Sequence, residues 1–267
     1  MTVPEKNSNN WLQYPPTTPE QRLIWEILFL FVMIVTVSLL GQLASTDVLY
    51  TIIITIIFGI NLSIRFILIN ERGDWLFFLL GVLAGGGNDL MSIITGIYSY
   101  SSITILPILN GLLPLWMILF WGQIFLLFRK VFHLKWFRGD EFQKTKPGLS
   151  GWVNKQLVID LIVFACLRIA IYNTYMDPLL PSVFYAGIIL IRIILFRPKK
   201  NEFLIIAILP YAFLFEGLMV TFGLYVYINP IFLGMPAWLF LWWIFLVPLL
   251  LKEIFDRLEF YIKKKEK

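Results

Sequence analysis

The chain has 267 residues, 59% of them hydrophobic and only 15% charged, with a formal net charge of +5. A soluble domain of this length needs far more polar surface, so the composition excludes one and points to a multi-span membrane protein. One cysteine (Cys166) excludes a disulfide framework, and one histidine (His133) excludes a zinc, haem or iron–sulfur cluster, so neither metal nor cofactor is expected.

Residues 1–22 form a polar segment with Pro15 and Pro16, unlike a cleavable signal peptide. Hydropathy then predicts eight helical spans, near 23–43, 48–69, 75–99, 103–128, 155–173, 179–196, 203–228 and 235–251, each about the ~20 residues a bilayer requires. A basic segment at 129–154 separates the first four spans from the last four, and a basic tail occupies 252–267. Lysine and arginine gather after the even-numbered spans: Arg72; Arg129, Lys130, Lys135, Arg138, Lys144 and Lys146; Arg197, Lys199 and Lys200; and the tail. The loops after the odd-numbered spans hold none. By the positive-inside rule both termini are cytoplasmic in a multi-pass cell-membrane protein, and the basic charge reflects topology, with no nucleic-acid partner.

The segment Asp89–Tyr100 recurs at Glu216–Tyr227. One offset carries Asp89 onto Glu216, Gly96 onto Gly223, Tyr98 onto Tyr225, Tyr100 onto Tyr227 and Arg65 onto Arg192. The expected fold is therefore all-α, with four-helix repeats at 23–128 and 155–251. An even number of spans per repeat makes them parallel, related by a pseudo-twofold axis along the membrane normal.

Intramembrane charges sort by depth. Glu26, Arg65, Asp160 and Arg192 lie near the basic end of their helices, where ion pairing or snorkelling serves structure. Asp89, Arg168 and Glu216 lie roughly 20 Å deep, near the midplane, where lipid exposure is expensive. They are expected to face one interior cavity as catalytic groups, with Gly96 and Gly223 on the same helix faces, admitting a chain-like ligand or a neighbouring helix. Arg168 has no counterpart in the first repeat, where Ile34 stands. Glu216 is expected to be its ionised partner and Asp89 the neutral proton donor, with the roles reversed if Arg168 turns toward Asp89. Asn88 is expected to orient Asp89. Substrate contacts are expected from Asn88, Tyr98, Tyr100, Tyr225, Tyr227, Trp121 and Trp242, although interfacial tyrosines and packed tryptophans are commonplace. The glycine run Gly85–Gly87 reads as a close helix contact.

An acid followed by Gly-x-Tyr-x-Tyr, Gly-x-Pro and tryptophan (Glu216, Gly223, Tyr225, Tyr227, Gly234, Pro236, Trp242) resembles the integral-membrane carotenoid hydratases. Gly81–Met91 is similar to the eight-span lysoplasmalogenases, and the membrane-embedded acids resemble small membrane terpene cyclases. These resemblances imply a hydratase (lyase), cyclase or lipid hydrolase in isoprenoid or other lipid metabolism, its partner a membrane lipid or prenyl-lipid substrate. In each, a neutral carboxylic acid protonates a C=C bond or enol ether in an aromatic pocket. A proton-coupled carrier and a non-catalytic membrane scaffold are the competing readings.

Overall fold

Thr18 caps the first helix through a capping box with Gln21, and Pro19 takes the first helical position, where a missing N–H costs nothing. In this computed structural model residues 14–103, 113–137 and 153–264 are described. The expected beginnings of the chain and of the fourth span, most of the basic linker (with Arg138, Lys144 and Lys146) and the last three residues of the tail lie outside them.

The long helices are α1 (Pro19–Leu40), α2 (Val48–Leu68), α3 (Asp74–Ile94), α4 (Leu115–His133), α5 (Lys155–Thr174), α6 (Leu180–Leu195), α7 (Lys200–Thr221) and α8, which runs from Ala237 to Lys264. Six helices, α1 to α5 and α8, are long and apolar enough to cross a membrane, and α6 is a shorter apolar helix. The architecture is that of a helical, multi-pass membrane protein. Ile56, Ile60, Ile64 and Ile67 on one face of α2 are exposed, a pattern suited to acyl chains and not to water.

Glycine sets how closely α3 and α4 approach. A Cβ on Gly81 would lie 2.5 Å from the Trp121 carbonyl oxygen, and one on Gly85 would lie 2.4 Å from the Trp121 ring. From the other side, Gly122 leaves room for the Phe78 ring. Gly87 meets nothing, so the close contact expected of the glycine run belongs to Gly85 and Gly81. α3 carries a π-turn at Gly81–Gly85, and α8 carries one at Leu246–Leu251, around Pro248, which has no amide hydrogen to give.

The all-α expectation needs one correction. The third and seventh spans were expected to run to residues 99 and 228, but α3 ends at Ile94 and α7 at Thr221. Gly96 (φ +82°) and Gly223 (φ +70°) adopt the left-handed conformation that ends a helix. The amides of Ile97 and Gly96 bond to Ser92 and Ile93 carbonyls, and those of Leu224 and Gly223 bond to Met219 and Val220 carbonyls. Both glycines are thus helix caps, not continuations of a helical face. Each turn delivers a short strand, β1 (Tyr98–Tyr100) or β2 (Tyr225–Tyr227), and the two pair antiparallel. Tyr98 faces Tyr227, Ser99 faces Val226 and Tyr100 faces Tyr225. Flanking bonds from Ser101 N to Leu224 O (2.9 Å) and Ile228 N to Ile97 O (3.1 Å) extend the ladder equally both ways.

At the opposite, basic end, Arg65 binds Glu26 and Asp74, while Gln123 Nε2 donates to Glu26 Oε2 at 2.8 Å. Arg192 holds Asp160 through two bonds, at 2.6 and 3.0 Å. The two pairs are therefore internal ion pairs of each half. α8 continues beyond residue 251 as a helix with Lys252–Asp256 and Glu253–Arg257 pairs, where a tail was expected. It reaches α3 and α4, where Phe255 packs on Phe77 of α3 and on Phe125 and Phe132 of α4.

Candidate functional site

Successive side chains of a strand alternate in direction, so Tyr98 and Tyr100 share a face, as do Tyr225 and Tyr227. Ser99 and Val226 point outward and are exposed, which turns all four tyrosines inward. Their rings form one cluster: Tyr98 to Tyr227 is 5.1 Å between centroids and Tyr100 to Tyr225 is 5.5 Å.

Beneath this tyrosine roof lie the two acids. Tyr100 Oη donates to Asp89 Oδ2 at 2.7 Å, and Tyr227 Oη donates to Glu216 Oε1 at 2.8 Å. The bond is the same in both halves, from the second tyrosine of each strand to the acid of the preceding helix. Tyr98 and Tyr225 stand beside the same two carboxyls. Among the described residues only Asp89 has a further donor of a different kind, Trp121 Nε1 at 2.7 Å.

Arg168 on α5 pairs with neither acid among the described residues. Its Nη2 crosses to the first half and donates to Ser92 Oγ at 2.7 Å, one turn beyond Asp89. Its Nε and Nη2 also reach Tyr172 Oη, at 3.0 and 2.6 Å. The guanidinium lies over the Tyr172 ring at 4.5 Å and the Trp242 ring at 5.3 Å. The expected Arg168–Glu216 partnership is thus replaced by a bond toward the Asp89 side. Ser92 itself donates to the Asn88 carbonyl, which fixes its oxygen to accept from the arginine.

Asp89, Glu216 and Arg168 line one cavity of about 390 Å³, and so do Asn88, Trp121, Trp242 and the four tyrosines. Every residue expected at the site from the sequence is therefore brought to one place. Asn88 does not orient Asp89: its Oδ1 is buried without a hydrogen-bond partner among the described residues, and Trp121 and Tyr100 hold the acid instead. Ser92 and Tyr172 were not singled out from the sequence. Tyr172 was legible, four residues past Arg168 and so on its helix face. Ile34, which the repeat matches to Arg168, also lines the cavity, so the lining breaks symmetry there.

The arrangement can hold a proton on one carboxyl and a charge on the other. It can also surround a cationic centre with aromatic faces. The chain matches no family model, no curated protein and no solved structure.

Proposed function

We propose that this protein is an integral-membrane enzyme acting on a polyprenoid, carotenoid or other long-chain lipid by carboxylate acid–base chemistry. It would have eight transmembrane helices in two parallel four-helix halves, with both termini and the basic end cytoplasmic, in the cell membrane. The observation that carries this reading is the matched pair of acids, each clasped by a strand tyrosine, lining one aromatic cavity that also holds a single arginine.

Donors distribute the roles. Asp89 accepts from Tyr100 and Trp121, with Arg168 bonded to Ser92 one turn away; Glu216 accepts from Tyr227, and no guanidinium is bonded to it among the described residues. The extra indole donor and the nearby guanidinium suit Asp89 to the role of base and leave Glu216 as the proton donor. In the step this supports, the π pair of a C=C bond or enol ether takes the Glu216 proton. Water then attacks the resulting cation and gives its proton to Asp89. If the product is a ring, an internal double bond attacks in place of water, and the new cation loses a proton to Asp89 to leave a neutral isomer. The tryptophan and tyrosine faces shield the cation in either case.

The test is conversion of detergent-solubilised lycopene, shorter polyprenoids and vinyl-ether lipids by the purified protein, followed by mass spectrometry. Product gain or loss of water, or an isomer of unchanged mass, would identify hydration or cyclisation; no conversion of any would remove the reading. A proton-coupled carrier is the second reading, favoured by the equivalent placement of the two acids around a central cavity. Solute uptake into vesicles that requires a pH gradient would establish it instead.

A further inference from the structure

The cavity does not end at the acids. It continues toward the basic end between α4 and α7, lined by Ile124, Leu127, Phe128 and Phe132 on one side and by Ile205 and Leu209 on the other. From Trp121 to Phe132 on α4, and from Ile205 to Glu216 on α7, the rise is the same, roughly 16 Å at about 1.5 Å per residue. Two independent helices thus give one length for this limb. Among the described residues its lining is wholly apolar, and the polar side chains of the cavity are confined to the pole under the tyrosines.

Between α3 and α8, the helices that the repeat matches to α7 and α4, Phe255 packs 4.7 Å from the Phe77 ring. Phe132 stands at the far end of the limb, stacked on Phe128 at 6.1 Å with Lys252 Nζ 5.6 Å from its ring.

Apolar cavities take apolar ligands; one of about 150 Å³ already holds a benzene ring. The whole cavity, polar pole included, measures about 390 Å³, and its lining follows the helices from Trp121 to Phe132, which suits one extended chain. We infer that the limb between α4 and α7 binds a single linear apolar chain of a membrane lipid, with its polar or reactive end at the Asp89–Glu216 pole and its far end against Phe132. The orientation of the reactive end rests on the acid–base reading, whereas the chain site stands on the lining and length of the limb.

The test uses geraniol, farnesol and geranylgeraniol analogues carrying a diazirine at the end opposite the hydroxyl, photolysed with the purified full-length protein and mapped by peptide mass spectrometry. Farnesol-length probe is expected to label Phe128 to Phe132 and Ile205 to Leu209. Leu209→Trp is expected to reduce that labelling by about tenfold, as a pocket rejects even small excess bulk. Phe132→Ala should shift the preference toward the geranylgeraniol probe. Ile124→Phe narrows the same limb from the other wall and serves if Leu209→Trp lowers the unfolding midpoint. Labelling confined to lipid-facing positions such as Ile60 and Ile64, or limb labelling indifferent to both bulky variants, overturns the inference. Limb labelling without any conversion removes the enzyme reading and leaves the chain site; conversion without limb labelling does the reverse.

Discussion

Trp121 stacks on Trp243 with ring centroids 6.3 Å apart and planes inclined by 19°, yet the two indoles are not equivalent. Trp121 gives its N–H to Asp89, while the Trp243 N–H is buried without a partner among the described residues. One ring of the pair fixes an acid and the other supplies only surface. Trp121→Phe should therefore cost about 1–3 kcal/mol, the penalty for leaving a buried acceptor without its donor, whereas Trp243→Phe removes an unsatisfied donor and should be near neutral. Chemical unfolding of both variants in one detergent measures the difference. Equal losses would show that the bond to Asp89 contributes nothing.

Glu216→Gln keeps an oxygen for Tyr227 but has no carboxylic proton to give. Turnover should fall by about 10²–10⁴-fold, the usual contribution of a positioned acid, with the unfolding midpoint little changed. Asp89→Asn should lower turnover as well and also destabilise, because one of the two carboxyl oxygens, which accepts from both Trp121 and Tyr100, is at risk of replacement by an amide nitrogen that cannot accept. If Glu216→Gln converts substrate at the normal rate, Glu216 is not the proton donor.

The two ion pairs near the basic end should respond differently to loss of the acid. Asp160→Asn leaves Arg192 fully buried with no carboxylate bonded to it among the described residues, and should cost about 3–5 kcal/mol. Glu26→Gln leaves Arg65 with Asp74 at 2.7 Å and should cost less, about 1–3 kcal/mol. Unfolding of the two variants under identical conditions ranks them, and the reverse order would contradict the role given to Asp74.

Glycines in one helix should divide sharply. Gly85→Ala drives a Cβ into the Trp121 ring and should cost about 1–3 kcal/mol, because an overpacked contact must shift. Gly87→Ala meets open space within a helix and should be neutral or stabilising by up to about 1 kcal/mol. Thermal unfolding of the pair checks both, and a tolerant Gly85 would mean that α3 and α4 are not in close contact there.

Much of the site was legible in the sequence because burying charge in a membrane is so costly. Asp89, Arg168 and Glu216 had few places to go but a common interior, and the repeat fixed which tyrosines accompany which acid. Hydropathy hid the strands, since Tyr-Ser-Tyr and Tyr-Val-Tyr are apolar enough to extend a predicted span. The opposing signal was present in Gly96 and Gly223, each followed by alternating tyrosines, a period of two after a helix stop. The direction of Arg168 was beyond reach, because rotation of α5 decides between Ser92 and Glu216. The extension of α8 was masked by its charge, although Lys252–Asp256 and Glu253–Arg257 at i,i+4 spacing marked a helix.

The strand ladder is centred on Ser99 and Val226, with every other pair placed evenly about that point. This is the register that one strand makes with a second copy of itself in an isologous dimer. In such a dimer every lining residue occurs twice, and the place matched to a guanidinium can hold only another guanidinium. Ile34 and Arg168 occupy the matched places here because both halves belong to one polypeptide. Covalent fusion thus frees a twofold cavity to become one-sided, so that two acids of common origin can take different roles.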